Sequence, residues 1–452
     1  MVSAIQASHR MLTRNLSFCS LEGAVELSMR PLSMKTLHRL LGFVACWAAA
    51  SSFVFAQEWT RFRGPNGTGI SPAKTIPTKW TEKDFNWKLD LSGTGHSSPV
   101  VWGDRIFLTS TSDQEGGLYV LCVGAESGQL MWRRDLPLSP FKKHKFNSFA
   151  AATPAVDRDR VYTVRTEPER YLVTALSHEG KTVWERDLGP FVTENGCGPS
   201  PVVYQDKVII GNEQDGPSFI TALDAATGKT VWQTPRTSSK SAYSTPCVYE
   251  PKGGKPALIF NSHAHGIYAV EPDTGKVLWE YDKAFDKRSV SSPVVAGEII
   301  LGSCGSGGGG NFVTAIRAGD PSRARKAELA YQLKTSAPYV PTSVAVGDLV
   351  WLWSDAGMVT CLHARSGELR YQERVGGNFF GSPVWVDGRL FAISTSGEVV
   401  VLEASDKFKV LERHPLNDLC HTTPAVAGGR MLIRTERRLF SIGGRSRVGD
   451  VR

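Results

Sequence analysis

Eight residues carry much of the side-chain chemistry that this sequence repeats at regular places. His96, Asn147, Asn195, Tyr243, Arg288, Tyr339, Asn378 and His421 each stand a few positions ahead of a recurring Ser/Thr-Pro step or its variant. They are hydrogen-bonding, cationic or aromatic, types that suit reversible recognition of a small ligand or peptide in a concave site. The same groups could instead serve the chain itself, satisfying backbone atoms and waters along a solvated channel. Covalent catalysis has no comparable signal. No Ser-His-Asp or Cys-His arrangement can be argued from spacing in a repeat fold that brings distant residues together.

Other segments offer weaker chemistry. Asn212-Glu213-Gln214-Asp215-Gly216 supplies side-chain oxygens suited to Ca²⁺, without the spacing of a known calcium loop, so an ordinary acidic turn is expected. His263 and His265 could give a metal two nitrogens, but no third ligand is identifiable and a surface turn is expected. Ser303–Gly310 is glycine-rich, yet no Lys-Ser/Thr follows it, which excludes a phosphate cradle of the familiar kind. Phe141-Lys142-Lys143-His144-Lys145-Phe146 reads as a solvated basic loop, with contact to an anionic partner as the alternative. Cys122, Cys197, Cys247, Cys304, Cys361 and Cys420 form no C-x-x-C pair, so neither a haem attachment nor a disulfide can be assigned. Cys122 and Cys361 lie in apolar runs and read as core residues. No catalytic residue and no metal site is expected.

These residues are positioned by a repeat. A small residue and Pro, then an alternating apolar run, recur at Pro99, Pro154, Pro201, Pro246, Pro293, Pro383 and Pro424. A degenerate copy falls at Thr342-Ser343, and the spacing between copies runs from 40 to 55 residues. That length fits one four-stranded unit per repeat. Each unit holds a Gly/Asp turn, as in Trp102-Gly103-Asp104-Arg105, and ends on a turn and an aromatic strand, as in residues 224–232 (DAATGKTVW) and 271–279 (EPDTGKVLW). The last unit lacks a fourth strand, while residues 85–91 (FNWKLDL) carry the fourth-strand pattern ahead of the first repeat. The expectation is an all-β, eight-bladed propeller of four-stranded antiparallel blades. It would be closed by this N-terminal strand, which removes the exposed edges of an open sheet. The eight polar and aromatic residues would then ring the mouth of the axial channel.

The T-G-K-x-x-W endings at 224–232 and 271–279 resemble the tryptophan-docking repeat of pyrroloquinoline-quinone (PQQ) propellers. That superfamily includes quinoprotein alcohol dehydrogenases and the BamB-like lipoprotein propeller of the outer-membrane assembly machinery. Residues 59–69 (WTRFRGPNGTG) look like the opening of PQQ-like repeat proteins of the planctomycete-type group, so the resemblance covers about residues 57–444. It implies that Trp132, Trp184, Trp232 and Trp279 dock blades. A dehydrogenase of this kind would need PQQ, Ca²⁺ and a catalytic Asp. This chain has no vicinal Cys pair, no long insertions between blades and no match to the catalytic motif. The expected function is therefore a non-enzymatic scaffold that binds a protein or small-molecule ligand and takes no cofactor. The alternative is a PQQ/Ca-dependent quinoprotein-like oxidoreductase, and glycan binding through Tyr243, Tyr339 and Phe379 is a third reading.

Residues 1–56 read as a secretory leader: Lys35 and Arg39 precede the apolar run Leu40–Phe55, with cleavage expected after Ala56. Residues 1–33 look like a start-site artefact, and acylation at Cys46 is the rival reading. Residues 57–84 are expected to pack on the propeller (85–444), and 445–452 form a basic tail. Export to the periplasm or cell envelope follows, with no membrane span and with peripheral envelope association left open. The net charge of +8 is spread without a dense basic block, which argues against nucleic acid.

Overall fold

A computed structural model describes residues 58–112, 117–238 and 240–444. Residues 1–56, expected as a leader and including Cys46, and residues 445–452, expected as a basic tail, lie outside the described residues. Eight sheets follow one another along the chain, seven of four strands and one of five. Blade 1 spans residues 100–137, and blades 2 to 7 span 155–187, 202–236, 247–281, 294–333, 344–374 and 384–415. Blade 8 takes its three inner strands from 425–443 and its outermost from Phe85–Asp90, which runs antiparallel to Arg438–Gly443 with Trp87 opposite Ser441 and Leu89 opposite Leu439. The eight-bladed ring and its closing strand are therefore as the repeat predicts.

Burial follows from the geometry. Second and third strands such as Arg105–Ser112 and Gly117–Gly124 are buried at nearly every position, because a neighbouring blade covers each face. Fourth strands such as Thr182–Asp187 are largely exposed at the rim. Their aromatic residue reaches the next blade. The indole NH groups of Trp132, Trp184 and Trp232 donate to the carbonyls of His178, Ala225 and Pro272 at 2.9, 3.0 and 2.8 Å. The ring lies on the turn glycine of that blade. A Cβ on Gly275, where φ is +71°, would come within 2.4 Å of the Trp232 ring, so the T-G-K turn needs glycine for two reasons.

The Ser/Thr of each strand-opening step has a role that its position alone does not reveal. The amide of Ser98 donates to Thr153 Oγ1, Thr153 to Ser200, Ser200 to Thr245 and Thr245 to Ser292. Ser292 continues to Thr342, Thr342 to Ser382, Ser382 to Thr423, and Thr423 returns to Ser98. All eight bonds measure 2.9 to 3.2 Å. This circular belt satisfies buried amides around the axis with short side chains that leave the channel clear. It also explains why the degenerate sixth step keeps Thr342 while losing its proline.

Residues 59–71 close one end of the channel. Trp59 exchanges backbone hydrogen bonds with Val101 of blade 1 at 2.8 and 3.2 Å, and the carbonyl of Thr60 accepts from Val156 of blade 2 at 2.8 Å. The Asn66 side chain makes two 2.7 Å bonds to the Val248 backbone of blade 4, and Ile70–Ser71 adds a parallel strand to blade 7. Arg61, buried, donates to the Pro246 carbonyl. Arg63, fully buried, uses all five N–H donors, on the carbonyls of Gly67, Thr68, Thr342, Ser343 and Pro383 at 2.7 to 3.2 Å. Burial without a counter-ion pushes its pKa down to about 9, so it stays charged at neutral pH. Gly64 sits against the Trp59 ring at φ +67°, where a Cβ would approach to 2.4 Å.

Candidate functional site

Opposite the plug, the strand-entry loops surround a cavity of about 560 Å³. His96, Asn147, Asn195, Tyr243, Arg288, Tyr339 and His421 line it, together with seven hydroxyl residues of the belt. Phe62, between the two plug arginines, also faces the cavity and makes it a blind funnel. Asn378 does not line it. Phe379 turns into the core, 5.2 Å from the Trp353 ring and wholly buried, so the alternation of side chains sends Phe380 to the funnel and leaves Asn378 exposed. Phe379 is thus unavailable for stacking on a sugar.

Register was the missed signal. The third residue before each strand-opening Pro, or before Ser343, faces the cavity in every blade: His96, Ala151, Gly198, Tyr243, Val290, Val340, Phe380 and His421. Turns between second and third strands add Ser306 and Asp355. The basic loop also arrives here, with His144 and Phe146 on the lining and the Phe146 ring 5.8 Å from Phe380. A neighbouring cavity of about 480 Å³ shares His96, Phe146, Asn147 and His421 and reaches Glu436.

The lining divides by how far its polar atoms are used. Asn147 is spent on its own backbone surroundings, donating to the carbonyls of Asn195 and Cys197 at 2.6 and 3.1 Å while accepting from the Ser148 amide at 2.8 Å. Tyr243 Oη meets Thr193 Oγ1 at 3.0 Å, and burial raises its pKa. Both carboxylate oxygens of Asp355 accept backbone amides, from Tyr339 at 2.6 Å and Val340 at 3.1 Å, while burial raises its pKa. Other atoms remain unused. Arg288 Nε is buried without a partner, while Nη2 lies 4.0 Å from a Glu194 oxygen and the guanidinium 5.9 Å from the Tyr243 ring centroid; rotation of the Asn195 amide by 180° would let its oxygen accept from Nη1 and Nη2 at 3.1 and 3.3 Å. His421 Nδ1 is likewise unpartnered, and the His421 ring stacks on His96 with centroids 4.6 Å apart. Burial, then the neighbouring His421, Arg434 and Lys143, push His96 down to about 3.

The segments singled out for metals are used by the fold. Glu213 accepts from Tyr268 Oη at 2.7 Å, Asn212 from Gln214 at 3.2 Å, and Asp215 from the Ser241 amide at 2.6 Å. His265 lies 3.3 Å from Thr237 Oγ1 and 3.6 Å from Glu280. In the glycine-rich loop, the carbonyls of Gly309 and Gly310 each accept from Lys287 Nζ at 2.9 Å. All six described cysteines are free and buried.

The profile of the family described as outer membrane protein assembly factor BamB matches residues 116–373. The chain belongs to this family. It is a PQQ-like propeller in sequence and fold. It is also similar to quinohemoprotein alcohol dehydrogenase ADH IIB of Pseudomonas putida, 31% identical over 175 residues covering 36% of this chain and 24% of that protein. Polyvinylalcohol dehydrogenase of Pseudomonas sp is 26% identical over 199 residues, covering 39% and 29%. The chain thus spans only about a quarter of the length of the curated relatives it matches. Among solved structures, BamB from Moraxella catarrhalis shares the fold with a TM-score of 0.56 at 15% identity, over 78% of this chain and 97% of that one. A europium-containing methanol dehydrogenase superposes with a TM-score of 0.63 at 12% identity, over 86% and 98%.

The dehydrogenase likeness raises PQQ and Ca²⁺, and the funnel's donor set can be compared with their needs. Calcium takes six to eight oxygen ligands. The funnel lining holds one carboxylate, Asp355, whose two oxygens are already taken by backbone amides. The Asn147 side chain is taken as well. These residues do not fit a calcium-bound quinone, and no redox step is derived from them.

Proposed function

We propose that the protein is an exported, non-enzymatic propeller that binds a ligand or a protein segment in the blind funnel of its strand-entry face. One observation carries this reading. The channel is plugged at one end, while at the other a cavity of about 560 Å³ gathers Tyr243, Tyr339, Phe380 and an incompletely satisfied Arg288. Aromatic faces give a bound group apolar contact at little entropic cost, and Arg288 favours an occupant with an acidic or strongly accepting end. The match to an assembly-factor family supports a binding role. Among the described residues, no helix is long and apolar enough to cross a membrane.

The similarity to dehydrogenases favours a second reading, a quinoprotein-like oxidoreductase. Adding PQQ and Ca²⁺ to purified protein separates the two. The binding reading expects neither a bound-quinone spectrum nor dye-linked oxidation of alcohols or sugars, and both together would overturn it. The positive arm is capture of an envelope component that is lost when His96, Tyr243 and Tyr339 are replaced together in a protein that still folds.

A further inference from the structure

We propose that His96, His421 and Glu436 form a binding site for a divalent ion of the zinc class in the wall between the two cavities. One ligand atom from each of the three residues lies within 4.8 Å of the others. The residues come from three separate segments. His96 and His421 occupy equivalent positions in the entry loops of blades 1 and 8, and Glu436 sits in the turn between the second and third strands of blade 8. Ring closure is what brings the start and end of the propeller to this point.

The chemistry of the set suits zinc better than a hard cation. Two imidazoles and one carboxylate make a common three-ligand zinc arrangement that leaves a fourth position open, whereas calcium and magnesium prefer oxygen cages. Both rings are available as ligands. His421 Nδ1 is buried without a hydrogen bond and lies 4.0 Å from a Glu436 oxygen, and neither imidazole is hydrogen-bonded to a described side chain.

The surroundings hold the three groups and set the limits of the site. The His96 amide donates to Ala150 at 3.0 Å, and the Glu436 amide to Leu419 at 2.7 Å. Asp418 pins the Glu436 turn by accepting from Thr435 Oγ1 at 2.6 Å and the Arg437 amide at 3.2 Å. Phe380 packs edge-on against His421 at 5.3 Å. Zinc–ligand bonds of about 2.0–2.1 Å require the ligand atoms to close by roughly an ångström, within reach of small side-chain rotations. Arg434 and Lys143 are the nearest opposing charges, with Lys145 on the same cavity wall. The Arg434 guanidinium is directed to the Ser97 carbonyl and Ser110 Oγ, both at 2.9 Å, and to the Thr109 carbonyl, while Lys143 Nζ lies 5.2 Å over the Phe149 ring. The site therefore depends on the negative charge of Glu436. His96 and His421 line both cavities, so the open position can be reached from the funnel.

This inference does not depend on the identity of the funnel's ligand or on whether one binds. Its test is titration of chelator-stripped full-length protein with Zn²⁺ by calorimetry, with Co²⁺ absorption as a geometric reporter. The expected result is one ion per chain, with visible Co²⁺ bands of low-coordinate intensity. Affinity should fall at least tenfold in Glu436→Gln and in His421→Ala, and stay unchanged in His363→Ala, whose imidazole meets Ser366 in blade 6 and lines neither cavity. His421→Cys should retain binding, which separates lost ligation from a damaged fold. Absence of saturable binding, or equal affinity in Glu436→Gln and the parent, would overturn the site. Glu436→Gln keeps the test decisive if His421→Ala fails to fold, because it alters a turn residue that is only half-buried.

Discussion

Arg63 and Arg288, at opposite ends of the axial channel, are satisfied to very different degrees. At the plug, Arg63 has five donors and five carbonyl acceptors, so its charge is buried with no capacity left over. At the funnel, Arg288 Nε and His421 Nδ1 lack partners in a cavity wide enough to admit another molecule. Buried polar atoms are costly to leave unsatisfied, and the plug keeps two of its own, Arg61 Nε and Trp59 Nε1; what sets the funnel apart is the cavity beside its unpartnered atoms, where another molecule can supply the missing bonds. The contrast supports the proposal that one end serves architecture and the other recognition.

Substitutions can break that contrast, and the largest effect should fall on the closure that both ends share. Deleting residues 85–91 removes the fourth strand of blade 8 and bares a sheet edge, so soluble, cooperatively unfolding protein should be lost, as judged by circular dichroism and size-exclusion chromatography. Arg63→Ala comes next. It strands carbonyls from the plug and from blades 6 and 7, and should cost about 2–4 kcal/mol in denaturant unfolding, because neutral buried acceptors are left without donors.

Glu213, buried on the funnel side, should show a pH effect of middling size. Burial raises its pKa from 4.5 to about 7, so the folded state holds a proton that the unfolded state releases earlier. Its contribution is greatest below the unfolded value and is lost as pH rises through 7. Glu213→Gln should therefore stabilise the protein at pH 8 by roughly 2–3 kcal/mol and leave it nearly unchanged at pH 4, a difference that thermal melts at the two pH values would reveal. The smallest effect belongs to Arg288→Ala, which should change stability by about 1 kcal/mol or less because the side chain is partly exposed and incompletely bonded.

The architecture was legible because a propeller writes itself as period. Ser/Thr-Pro steps, T-G-K turns and blade-docking tryptophans each repeat, and Trp87 carries the fourth-strand pattern outside the repeats, where closure needs it. The funnel was legible only in part. Seven of the eight mouth residues line it, since entry loops must converge at the axis. Asn378 went astray because one residue of register, set by Phe379 entering the core, decides which side chain faces the cavity. Phe62 and Glu436 could not be placed from pattern. The first lies ahead of the repeats, and the second meets His96 only when the ring closes. The hydroxyl belt was visible as a Ser/Thr preference, but its bonds run between blades and no local pattern expresses them.

The most direct measurement is a side-by-side comparison of Arg63→Ala and Arg288→Ala, reading thermal unfolding and capture of envelope components on the same preparations. The contrast between the ends predicts a strongly lowered Tm for Arg63→Ala. For Arg288→Ala it predicts a near-parental Tm with capture lost. Equal destabilisation by the two substitutions, or capture that survives Arg288→Ala, would contradict it.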